Sequence, residues 1–119
     1  MFKMLVVDDH AEYRESLKQT LSSLFSSCEV NVAESVEELM QQITSNTPNL
    51  IFMSIRFSHR TGLELCKYLK TRNPDMDIVV MSGVDLPEYR KAAFRSGAKY
   101  FMPKDSLPEE IKDFLTSVA

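Results

Sequence analysis

The chain has 119 residues, enough for one domain with its own core, and 44% of them are hydrophobic against 26% charged. Fourteen Lys and Arg stand against 17 Asp and Glu, a net charge of −3, so no basic surplus marks nucleic acid as the partner of this segment. Three glycines far apart (Gly62, Gly83, Gly97) exclude the glycine-rich loops that cradle nucleotide phosphates, and the scattered Cys28, Cys66, His10 and His59 exclude a zinc-type cluster.

Apolar runs and helical stripes alternate along the chain. Phe2–Val7 is a short strand-forming run that meets Asp8 and Asp9 at once, so it is no signal peptide. Glu12–Phe25 has helical spacing, with Leu17, Leu21 and Leu24 on one stripe. Glu29–Ala33 reads as a second strand. Ser35 opens a capping box with Glu38, and Val36, Leu39, Met40 and Ile43 follow at i, i+3, i+4 and i+7. After the Thr47-Pro48-Asn49 turn, Leu50–Met53 is apolar without alternation, as in a strand covered on both faces.

Ile55–Thr61 reads as a polar, irregular loop, and Gly62–Lys70 as a helix with Leu65, Cys66 and Leu69 inward. Asn73-Pro74-Asp75 ends it, and Asp77–Met81 is the fourth strand. Pro87–Ser96 enters a helix through proline and leaves it at Gly97. Lys99–Met102 is the fifth strand. Ser106, with Glu109 three residues on, is expected to cap a last helix striped by Ile111, Phe114, Leu115 and Val118. No apolar run is long enough to span a bilayer. The expectation is a cytoplasmic (βα)5 domain over residues 1–119 with reduced thiols, a doubly wound parallel sheet and right-handed crossovers.

In such sheets ligands bind beyond the carboxyl ends of the strands. There the sequence puts Asp8 and Asp9 after strand 1, Ser54 after strand 3, Ser82 after strand 4 and Lys104 after strand 5. Two adjacent carboxylates facing an ammonium suit a hard cation and a phosphoryl oxygen. Taken alone, either Asp also fits a plain helix cap.

Five stretches then carry a resemblance along the whole chain: Leu5-Val6-Val7-Asp8-Asp9-His10, Pro48-Asn49-Leu50-Ile51-Phe52-Met53, Gly62-Leu63-Glu64-Leu65, Val79-Val80-Met81-Ser82-Gly83 and Gly97-Ala98-Lys99-Tyr100-Phe101-Met102-Pro103-Lys104. In this order and spacing the chain resembles the receiver domain of two-component response regulators. The resemblance implies a flavodoxin-like sheet in the order 2-1-3-4-5. It gives Asp9 and Asp8 to Mg²⁺, Asp9 as the direct ligand, with the backbone carbonyl of Arg56 as a third. It gives phosphoryl binding to Ser82 and Lys104, and the switch aromatic to Phe101, which could equally be core. It gives the partner as a histidine kinase or other signalling protein.

At the phosphoacceptor position this chain has Ser54, and Phe52, Met53 and Ile55 align around it without a gap. Ser58-His59-Arg60 replaces the usual Pro-Gly type of turn, and two departures in one loop point to a naturally divergent site. An aspartate is ionised at neutral pH, whereas a serine hydroxyl needs a base. Three carboxylates and a lysine become two and a lysine, so Mg²⁺ binding should weaken and Lys104 should pair with Asp9. The expectation is a degenerate receiver acting as a phosphorylation-independent interaction module, not an enzyme. A switch phosphorylated on Ser54 and the receiver segment of a longer DNA-binding regulator are the alternatives. Phosphatases of the haloacid dehalogenase type need D-x-D where this chain has Asp8-Asp9-His10, and flavin binding lacks a phosphate loop. Tyr89, Arg90, Lys91, Arg95 and Lys99 make the fourth helix and fifth strand locally basic, on the face the family uses for homodimers and output.

Overall fold

The structure, a computed structural model, describes residues 1–57 and 60–118; Ser58 and His59 and the side chains of Arg60 and Val118, all singled out by the sequence, lie outside the described set. The elements are β1 Lys3–Val7, α1 Ala11–Leu24, β2 Glu29–Ala33, α2 Val36–Ser45, β3 Leu50–Ser54, β4 Arg56–Phe57, β5 Arg60–Thr61, α3 Gly62–Arg72, β6 Asp77–Ser82, α4 Pro87–Arg95, β7 Tyr100–Pro103 and α5 Pro108–Val118. The main sheet runs β2-β1-β3-β6-β7 with every pairing parallel. Without the small β4–β5 hairpin this is the expected 2-1-3-4-5.

Strand alternation explains why the apolar runs are unbroken. Leu5, Val7, Ile51, Met53, Ile78, Val80 and Phe101 point to one face, where Leu39 of α2, Leu65 and Leu69 of α3 and Ala93 of α4 cover them. Met4, Val6, Leu50, Phe52, Val79, Met81 and Met102 point to the other, under Leu17 and Leu21 of α1 and Ile111 and Leu115 of α5. In the central strands β1, β3 and β6 both faces are covered by helices, so neither parity is polar.

Two departures from the sequence expectation have local causes. Arg56–Phe57 pairs antiparallel with Arg60–Thr61, and Phe57 is buried among the α3 side of the core, so the polar loop is a hairpin tied down by one aromatic. The cap of α5 is shifted by one residue. Pro108 starts the helix, the Leu107 N–H donates to Glu110 Oε1 at 2.8 Å, and Ser106 Oγ turns back to donate to the Pro103 carbonyl at 2.7 Å. Proline at the first helical position fixes the entry and makes Glu110, not Glu109, the reciprocal acid. The Ser35 cap forms as expected, with Glu38 N–H donating to Ser35 Oγ at 3.1 Å.

Gly97 ends α4 at φ +103°, the Ala98 N–H reaching the Ala93 carbonyl and the Gly97 N–H the Phe94 carbonyl. This is the left-handed closure that favours glycine. A Cβ there would also come within 3.0 Å of Lys70 Cγ. Gly97→Ala is expected to lower stability by about 1–2 kcal/mol, read as the urea midpoint. An unchanged midpoint would show that the turn tolerates a side chain.

Candidate functional site

The parallel register brings the strand ends to one rim. Ser54 and Ser82 are the last residues of β3 and β6. Ser54 pairs with Met81 in the ladder, and the Ile55 N–H continues it to the Met81 carbonyl. Asp8 leaves β1 with its N–H on the Ala33 carbonyl, and Lys104 leaves β7 with its N–H on the Ser82 carbonyl at 2.8 Å. Asp8, Ser54 and Ser82 are all buried, at 1%, 3% and 2% exposure, whereas Asp9 is exposed.

Lys104 closes this rim across the sheet. Its Nζ donates to Asp8 Oδ2 at 2.6 Å and lies 4.8 Å from the centre of the Tyr13 ring. The ammonium expected on Asp9 is thus found on Asp8. Burial explains the preference, because a desolvated carboxylate needs a cation more than an exposed one. Asp8 Oδ1 accepts from the His10 N–H at 3.0 Å, so both carboxylate oxygens are engaged. The same surroundings act on Tyr13: burial first, then the charges of Asp8 and Asp105, push its hydroxyl up to about 12.

Arg14 completes the support and was missed in the sequence. It is 8% exposed, and its guanidinium donates to the Asp8 carbonyl at 3.0 Å while pairing with Glu34 of the β2–α2 turn at 3.4 Å. A signal was present: Arg14 precedes Leu17 and Leu21 by three and seven residues, placing a charge on the buried stripe of α1.

Ser82 Oγ donates to the Val84 carbonyl at 2.7 Å and accepts from the Val84 N–H at 3.0 Å, so its hydroxyl braces its own turn. Phe101 is 8% exposed and faces the core. Arg56 lies in β4 and, with Asp9, Phe57, Leu63, Glu88 and Tyr89, lines a cleft of about 870 Å³ between the hairpin and α4. The first turn of α3 abuts Ser54 directly: the Gly62 N–H donates to the Ile55 carbonyl at 2.7 Å, and a Cβ on Gly62 would fall 2.0 Å from the Ser54 carbonyl oxygen.

These donors make a poor set for a divalent cation. Asp8 is occupied by Lys104 and its own turn, Ser54 offers a neutral hydroxyl, and among the described residues no group of three carboxylate, imidazole or thiol side chains converges.

The comparisons with known proteins name the family. The model of the response regulator receiver domain matches residues 4–116, and the chain belongs to that family. It is 32% identical over 109 residues to "Response regulator MprA" of Mycobacterium sp. (strain KMS), covering 92% of this chain and 46% of that protein. The chain therefore spans about half the length of the curated relatives it matches. The receiver domain of NtrX from Brucella abortus superposes with a TM-score of 0.85 at 26% identity, over 97% of this chain and 95% of that one. A signal receiver domain of a DNA-binding response regulator from Colwellia psychrerythraea 34H reaches 0.93 at 16% identity, covering 99% and 98%, a likeness of fold alone.

Proposed function

We propose that this receiver domain is a degenerate one, a phosphorylation-independent interaction module of two-component signalling. The observation that supports this best is Ser54 itself, a neutral hydroxyl only 3% exposed at the position where the family pattern calls for an ionised aspartate. The rim offers it a poor base. Asp8, the buried carboxylate there, already has Oδ2 on the Lys104 ammonium and Oδ1 on the His10 N–H, so both of its oxygens are turned to other donors and not to the Ser54 hydroxyl. Lys104, at the family's phosphoryl-binding position, pairs with Asp8 where Ser54 supplies no charge to draw it away.

In this reading Ser82, Lys104 and Phe101 keep the positions of the phosphoryl-responsive set but are held by internal partners. Asp9, Asp8 and the Arg56 carbonyl bind Mg²⁺ only weakly, and the chain is no enzyme and takes no nucleotide or flavin. It works in the cytoplasm on a histidine kinase or other signalling protein, or on a second copy through α4, β7 and α5, where Phe94 and the nearby Leu107 are exposed apolar residues. Nucleic acid and membrane are not partners of this segment; no described helix is long and apolar enough to cross a bilayer. A second reading has its own support. Coverage of only 46% of the MprA relative fits a receiver segment of a longer regulator, of which a DNA-binding one is the kind the sequence suggests.

The amide NMR spectrum of the ¹⁵N-labelled chain tests the module reading. Mg²⁺ at millimolar concentration should shift few resonances, and adding acetyl phosphate should produce no second set of peaks around Ser54, Ser82 and Lys104. A slowly growing second set would instead establish a phosphoserine switch.

A further inference from the structure

Phe101 is held from outside the rim. The Arg90 guanidinium lies over its ring, with Cζ 4.9 Å from the centroid. That guanidinium is fixed by a two-pronged contact to Asp85, Nε to Oδ1 at 2.6 Å and a terminal nitrogen to Oδ2 at 2.9 Å. Asp85 stands in the same β6–α4 turn that Ser82 braces through Val84. The turn, the first helical turns of α4 and the ring on β7 are thus joined by three side chains.

We propose that Arg90, oriented by Asp85, is a positioning residue that holds Phe101 inward, so that the state of this ring is set from the β6–α4 turn and not from Ser54. Three features support the assignment. A planar guanidinium can stack on a ring and meet a carboxylate through two parallel bonds at once, which an ammonium cannot do. The Arg90 guanidinium holds the Asp85 carboxyl below the usual carboxylate range, so both partners stay charged at neutral pH. The Ser82 hydroxyl is committed to its turn, so it is not free to follow a phosphoryl group and draw the ring with it. Both charged side chains are about two-fifths exposed, at 42% and 45%, so the contact is screened and biases the ring instead of locking it. Contacts of either type at exposed sites shift an equilibrium roughly two- to fivefold each.

The inference rests on the reading of the chain as a module set without phosphotransfer, but its test uses no phosphodonor, so the two can fail separately. The full chain is labelled with fluorophenylalanine, and the Phe101 ¹⁹F resonance is assigned by its loss in Phe101→Leu. Its relaxation by a soluble paramagnetic agent reports ring exposure. Arg90→Gln should raise that relaxation roughly two- to fivefold. Asp85→Asn should raise it less, in the same direction, and Arg90→Lys should resemble Arg90→Gln. Because Arg90 and Asp85 are surface residues, either variant alone carries the test if the other fails to fold. Wild-type protection in Arg90→Gln overturns the proposal, and wild-type protection in both Arg90→Lys and Asp85→Asn overturns the role of Asp85.

Discussion

Replacing Lys104 with methionine should cost the fold about 3 kcal/mol, a loss read as a lowered urea midpoint at neutral pH. The replacement keeps most of the apolar stem and removes the ammonium, which lies over the Tyr13 ring. Asp8 would then hold a carboxylate at 1% exposure with the cation gone from Oδ2. Stripping one partner from a buried ion pair typically costs about 3–5 kcal/mol, and the 21% exposure of the Lys104 side chain places this pair at the lower end, because water can enter. The companion variant separates loss of the pair from loss of packing. Asp8→Asn combined with Lys104→Met should recover part of the deficit, since no bare charge remains. A drop below about 1 kcal/mol in Lys104→Met would mean that the pair behaves as a surface contact.

Gly62→Ala should be equally damaging, against the usual sign. Within a helix, glycine to alanine normally stabilises by about 1 kcal/mol. Here the added methyl would meet the Ser54 carbonyl oxygen at 2.0 Å and Met53 Cγ at 3.1 Å. The first of these is backbone in the central strand, flanked by β1 and β6, and cannot step aside. The helix α3 would have to move away from β3, breaking the 2.7 Å bond from the Gly62 N–H to the Ile55 carbonyl and loosening Phe57. The expected loss is about 3 kcal/mol, the upper range for overpacking, with amide shifts centred on Ser54 and Ile55. A variant as stable as the wild type would show that α3 sits less tightly on the strand.

The fold was legible because the three central strands, β1, β3 and β6, are covered on both faces. Uninterrupted apolar runs such as Leu50–Met53 can be satisfied only in that way, and proline and glycine marked both ends of α4. The site was legible as positions, since the strand-end rule places Asp8, Ser54, Ser82 and Lys104 along one rim whatever their side chains do. Their contacts were not legible. The choice of Asp8 over Asp9 for Lys104 is decided by burial, which adjacent residues in a sequence do not display. Ser82 bonding to Val84 depends on the local turn. The β4–β5 hairpin escaped notice because its two strands are two residues each, and one buried aromatic, Phe57, leaves no period to detect. Arg90 over Phe101 joins residues eleven positions apart on different elements, which no periodicity links.

The role of Ser54 is the centre of the account, and one measurement addresses it directly. Wild type and Ser54→Asp are incubated side by side with acetyl phosphate and Mg²⁺, and their intact masses are recorded. The wild type should gain no phosphoryl mass. Ser54→Asp should gain one, because it restores an ionised nucleophile on the rim that holds Asp8, Ser82 and Lys104, where an ammonium can stabilise the transferred group. A stoichiometric gain in the wild type, mapped to Ser54, would contradict the account.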